Sequence, residues 1–237
     1  MNISNYYWYF PSVLTPRFCD DVIAYANQQE ETMAITGGFG RGRDLNKEPL
    51  NKASNKYIKD ARNRNKAHIK KHGDFGLSHH STPLTIDNDF LDFRNYIGQK
   101  SWEYLDHQGF DMQQYTTIFS ELWVQEFAKK GGGHHSAHIH WNQHVSGFYF
   151  LKCSDKTSYP IFHEPRTGAR ATKLKMKPDQ KGVWGGSELI HFKPTPGTLI
   201  IFPGYLEHEY AVDFGIEPFR FIHWNIQAVP KEMAKDV

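Results

Sequence analysis

Five of the chain's fourteen histidines fall within residues 134–144: His134, His135, His138, His140 and His144. Imidazole is the commonest protein ligand for metals. Spacing separates the five. His138 and His140 are two residues apart, so on a strand they share a face. Both rings can then converge on one ion at about 2.1 Å each. His134, His135 and His144 stand beside turn residues and read as surface groups or supports for the ligands. A third ligand must come from a facing strand. His208 is the candidate, because it follows GTLIIFPGYLE: a turn at Pro196-Gly197, a buried strand over 198–202, and a second turn at 203–204. A polar residue after that turn lies at the mouth of a barrel. Taken alone, His208 reads as a strand histidine satisfied by hydrogen bonds. Arg220 shifts the balance. It lies twelve residues further on, inside the apolar run Phe219-Arg220-Phe221-Ile222. A buried guanidinium needs an anion, and its planar fork suits a carboxylate. An internal Asp or Glu could supply that carboxylate, and so could a dicarboxylic co-substrate.

Strands must carry these groups. From about residue 115 the period is strand-like. YTTIFSELWVQEF, HIHW, SGFYFLKC, SYPIFH, ELIHFK, GTLIIFP, EHEYAVD and FRFIHWNIQAV are short β-rich runs separated by turns, including Gly131-Gly132-Gly133. Many short strands of this kind fit a double-sheet jelly roll or barrel. Before them the period is helical. Thr15 and Pro16 are good starting residues for a helix over about 15–29. Phe90, Phe93, Ile97, Trp102 and Leu105 predict another over 88–107. Helices first and strands afterwards make an α+β chain whose helices back one sheet. The expected organisation is one domain over 1–237. Its 1–112 part is mainly helical support with a basic insertion near 38–80, and 113–229 forms the core.

The 237 residues are enough for a sizeable core. No run is long and apolar enough for a membrane helix, and the N-terminus lacks the pattern of a signal peptide. Only Cys19 and Cys153 are present, which predicts a reducing, cytoplasmic setting rather than a disulfide framework. Net charge is +2, yet residues 41–71 hold eleven Lys and Arg against three acidic residues. That segment is +8 and leaves −6 for the remainder. It reads as a solvated, partly helical surface insertion. Without interleaved aromatics it is a poor nucleic-acid groove, although an acidic partner stays open.

The motifs HIHWNQHVSGFYFL, HEPR, PGTLIIFPGYLEH and RFIHWN resemble those of the iron(II)- and 2-oxoglutarate-dependent oxygenases with a double-stranded β-helix, a cupin-like jelly roll. They are most similar to the prolyl-hydroxylase-like branch found in bacteria and phages. FPSVLTPRFCDDVIAYA resembles the first helix of that branch. The likeness covers about 120–228 well and 8–30 weakly, and 35–115 is unmatched. It implies iron bound by His138, His140 and His208, and 2-oxoglutarate chelating the metal with its far carboxylate on Arg220. Ser146 and Gln125 would be further polar contacts to the co-substrate. Dioxygen is the second co-substrate and ascorbate a supporting reductant. Three departures stand out: His140 occupies the usual place of an acidic ligand, Phe150 that of a tyrosine, and Ile222 that of a hydroxyl residue. His140 is therefore either a ligand or a group supporting one.

The implied reaction is hydroxylation of a C–H bond in a peptide, protein or small molecule, with release of succinate and carbon dioxide. The triple-glycine loop and the 38–80 segment could act as lids. Two other classes fit parts of the pattern. A cupin-like zinc hydrolase or lyase would use the same three histidines. A non-catalytic binding module would use residues 41–71.

Overall fold

The computed structural model describes residues 47–165, 170–171, 174–175, 177–179 and 188–236. The helix expected over 15–29 and Arg166 of HEPR lie outside them. Helix α1 is Lys47–Arg64, α2 is Lys66–His72 and α3 is Leu91–His107. Among the described residues nine strands accompany them: β1 (Ser78–His80), β2 (Tyr115–Phe127), β3 (His135–His138), β4 (Val145–Lys152), β5 (Pro160–His163), β6 (Leu189–His191), β7 (Leu199–Pro203), β8 (His208–Tyr210) and β9 (Arg220–Pro230). The five-stranded sheet has the order β1-β2-β9-β4-β7 and the four-stranded sheet β3-β8-β5-β6. All observed pairings are antiparallel. From β2 onward successive strands alternate between the two sheets, except that β5 and β6 both lie in the smaller one, so early strands lie beside late ones. This is the strand order of a double-stranded β-helix, and it makes the chain α+β as expected.

The five-stranded sheet is buried on both faces, and its residue alternation supplies both cores. Leu122 and Val124, Tyr149, Leu199 and Ile201, and Ile222 and Trp224 point to the helices. There they meet Leu50 and Tyr57 of α1, and Phe93 and Ile97 of α3. Phe127, Phe148, Phe150, Phe202 and Phe221 point to the opposite face and fill the space between the sheets with Phe162 and Tyr210. β4 is therefore buried along nearly its whole length.

Helix α3 is the one anticipated over 88–107. Its start is fixed by Asp87, whose side chain accepts from the Asp89 N–H in the preceding 3-10 turn. The basic segment differs from expectation. Leu50, Ser54, Tyr57, Ile58 and Ala61 recur at helical spacing and are buried, while Lys52, Lys56 and Lys59 occupy the solvent face. α1 is thus docked on the core along one face rather than solvated all round. None of the described helices is long and apolar enough to cross a membrane.

Candidate metal centre

The histidine cluster forms where β3 and β8, adjacent in the smaller sheet, face β9 and β4 of the larger. His138 ends β3 and lies opposite His208, the first residue of β8. His140 is not on the strand, so the expected two-residue strand spacing is not what aligns the pair. The chain leaves β3 after His138, and the His140 N–H donates to Gly204 O at 2.9 Å. Gly204 permits this approach, since a Cβ there would stand 2.4 Å from Gln143 O. Asn142, at φ 58°, then turns the chain back into β4; asparagine tolerates that left-handed conformation better than most residues.

These constraints gather one nitrogen each from His138, His140 and His208 within 4.8 Å of one another. His140 Nε2 is 3.3 Å from His208 Nε2. The His208 Nδ1–H donates to Leu206 O at 2.9 Å, and His138 Nδ1 lies 2.7 Å from Ser136 O. A carbonyl on Nδ1 fixes the tautomer and leaves the Nε2 lone pair for a metal. Burial pushes the His140 imidazole down to about 4, with His138 nearby adding to the effect. Burial likewise holds His208 well below the ordinary histidine range. The neutral form that binds metal is therefore the resting one near pH 7. Three convergent imidazoles fit a first-row divalent ion.

The other expected residues divide. Ser146 is fully buried on the interior face, its Oγ donating to Asn225 Oδ1 at 2.6 Å. Gln125 also faces inward; its Nε2 donates to Ser78 Oγ at 2.7 Å and touches His135 Nε2. The two residues flank the cluster on different sides. Arg220 is not brought to it. It shares the helix-facing side of β9 with Ile222 and Trp224, whereas His223 and Asn225 have the opposite parity. Its guanidinium is engaged by Glu126, Ser54 and Asn55. It lines a cavity of about 680 Å³ between α1 and the sheet, along with Lys59, Arg62, Lys129 and Lys152. The internal carboxylate, one of the two partners the sequence allowed, is the one found. The expectation of an Arg220 anchor deep in the barrel is corrected accordingly.

Two further features escaped the sequence reading. His135 belongs to β3 rather than a surface turn, and packs against Phe127, Tyr210 and His80. His223 lies 4.9 Å from His140 and 4.7 Å from Trp123, ring centre to ring centre. Glu121, His140 and His223 offer ligand atoms within 4.8 Å of one another as well. Strand parity from Phe221 was the available signal for His223 and Asn225.

Residues 121–215 match the model of a family described as "Putative 2OG-Fe(II) oxygenase". The match contains Glu121, His138, His140 and His208, and ends before Arg220 and His223. No curated protein matches the chain. Similar solved structures include a 2OG-Fe(II) oxygenase family oxidoreductase from Burkholderia pseudomallei, at 12% identity over 61% of this chain and 54% of that one, with a TM-score of 0.38. A prolyl-4-hydroxylase from Pseudomonas putida is 10% identical over 73% of this chain and 86% of its own, with a TM-score of 0.42. A prolyl hydroxylase from Trichoplax adhaerens, in complex with a hypoxia inducible factor oxygen degradation domain peptide fragment, is 10% identical over 87% and 91%, with a TM-score of 0.42. This chain spans about half the length of the Burkholderia protein, 54%.

Proposed function

We propose that this 2OG-Fe(II) oxygenase segment binds iron(II) through His138, His140 and His208, and that the chain hydroxylates a C–H bond of a peptide or protein. The observation that carries the reading is the convergence of three imidazole nitrogens within 4.8 Å inside the family-matched residues. When bound, iron(II) with 2-oxoglutarate and dioxygen supplies the oxidising power for hydroxylation, with release of succinate and carbon dioxide. The chain's own residues hold and shield that chemistry. His138 and His208 present Nε2 because their Nδ1 atoms face Ser136 O and Leu206 O. Three ligands leave coordination positions open. Phe148, Phe162 and Phe202 pack around His208 and keep water from the inner side.

Ser146 and Gln125 are the proposed polar contacts to the co-substrate. With Arg220 on the other face of the sheet, its far carboxylate would rest on neutral hydrogen-bond donors. Beside the cluster, Trp141 is 79% exposed and Tyr205 56%. They stand on the two turns joined by the His140 N–H and Gly204 O, and form an apolar ledge suited to a peptide. Cys153 sits as a buried thiol 3.3 Å from Pro194 O, which accords with a cytoplasmic protein.

The test is succinate formed from 2-oxoglutarate with Fe(II) in air, in the intact chain and in His138→Ala and His208→Ala. Loss in both variants is expected. Unchanged turnover in both would remove the proposed ligand set. A chain that retains zinc and neither binds nor consumes 2-oxoglutarate would instead belong with the metal-dependent hydrolases.

A further inference from the structure

The two edges of the His140 ring face different ligand sets. Nε2 points to His208 Nε2 at 3.3 Å. Nδ1 points the other way, 2.9 Å from Asn225 Nδ2, which also donates to the Glu121 carboxylate. On that second side three acceptors converge: a Glu121 oxygen, His140 Nδ1 and His223 Nε2. The His223 Nδ1–H donates to Gly147 O at 3.2 Å, so its Nε2 is a bare lone pair. That Nε2 is buried and has no hydrogen-bond partner among the described residues. A buried polar atom left unanswered is costly, so a native site of this kind calls for a further occupant.

Acceptors here outnumber donors. One amide group, Asn225 Nδ2, answers Glu121 and His140, and nothing answers His223. A cation satisfies all three acceptors at once. Two imidazoles and one carboxylate form the donor set that suits first-row divalent ions and leaves open positions.

We propose that Glu121, His140 and His223 form a second divalent-cation site, which shares the His140 ring with the site made by His138, His140 and His208. The proposal rests on the reading above only through that shared ring. Neutral His140 carries one N–H proton, and occupation of both sites releases it to solvent as the ring bridges the two ions. Asn225 accommodates the change by a half-turn of its amide, a rotation that leaves the heavy-atom positions nearly unaltered. Oδ1 then faces the cation as a further oxygen donor. Nδ2 takes the place of Oδ1 and donates to Ser146 Oγ across the present 2.6 Å contact. Glu121 of β2 supplies the carboxylate that the β3 motif lacks.

The test is an anaerobic Co(II) titration of the untagged full chain, with cobalt per chain measured after desalting. Two ions are expected for the intact protein. One is expected for Glu121→Gln, for His223→Gln and for His208→Ala, with thermal melting as the check on folding. Either Glu121→Gln or His223→Gln suffices if the other fails to fold. An unchanged cobalt count in a folded Glu121→Gln or His223→Gln chain would overturn the second site. An unchanged count in His208→Ala, with a loss in Glu121→Gln, would support the second site and overturn the first.

Discussion

Arg220 and Glu126 lie directly across from each other on β9 and β2, with Nη2 2.6 Å and Nε 2.7 Å from the same Oε2. The pair faces α1, where Arg220 Nη1 donates to Ser54 Oγ at 2.8 Å and to Asn55 Oδ1 at 2.7 Å. Glu126 Oε1 takes a second guanidinium, Arg62 Nη2, at 2.9 Å. Arg62 also reaches Asp74 at 3.3 Å. One carboxylate therefore ties a helix to two strands. Arg220 is a structural cation in this arrangement, although its place in the chain suited a co-substrate anchor.

Removal of Arg220 should accordingly act on stability. Both side chains of the pair are only 6% exposed. Loss of one member of a buried, hydrogen-bonded pair costs about 3–5 kcal/mol, because the other charge is left uncompensated. Arg62 still faces Glu126 and moderates the loss, so Arg220→Ala should fall toward the lower end. Melting temperature should drop by several degrees, while cobalt binding at the histidines persists at temperatures where the variant is folded. Weaker 2-oxoglutarate binding at an unchanged melting temperature would return Arg220 to the anchor role.

Gly147 offers a second stability test. It sits between Ser146 and Phe148 on β4, and its carbonyl accepts from the His223 Nδ1–H. A Cβ at this position would meet Trp224 Cζ2 at 2.1 Å and Ile200 O at 2.6 Å. Trp224 is fully buried against Phe93, so its ring has nowhere to move. Overpacking of this kind costs about 1–3 kcal/mol, occasionally more. Gly147→Ala should lower the denaturant midpoint without altering the slope. A midpoint equal to that of the parent chain would mean that the sheet yields more readily than these contacts allow.

Much of this architecture was legible because alternation and turn residues are local signals. The runs 115–127, 198–202 and 219–229 appear as β2, β7 and β9, and Asn88–His107 as a 3-10 turn leading into α3. Inside and outside were harder to tell apart. β9 is buried on both faces over Arg220–Ile226, so no polar face marks which parity enters the barrel. That ambiguity concealed both the outward turn of Arg220 and the inward turn of His223 and Asn225. In α1 the apolar stripe of Leu50, Tyr57, Ile58 and Ala61 was masked by the lysines between its members. His138 and His140 lie close together, but not through strand spacing, since the position of His140 depends on a hydrogen bond to Gly204, more than sixty residues away. Long-range contacts of that kind leave no periodicity in the sequence.

The histidines themselves make stability depend on pH. Burial lowers His79, His135 and His140 each to about 4. It also lowers His80, and holds His208 and His223 well below the ordinary range. Each of these groups binds a proton more readily in the unfolded chain, where its pKa is about 6.5. The unfolded state therefore gains protons first as pH falls, and stability declines with it. Above about pH 6.5 the full stability is present. Between there and pH 4 the ion-free chain should lose stability steeply, with more than one proton taken up per unfolding event. A divalent ion should raise the melting temperature at pH 7.5, and this gain should fade over the same window as protons compete for the ring nitrogens. Melting curves of the ion-free and cobalt-loaded chain from pH 7.5 to 4.5 provide the measurement. A flat profile for the ion-free chain would show that the rings are hydrated enough to accept protons while folded, against the burial that surrounds His208 and His223.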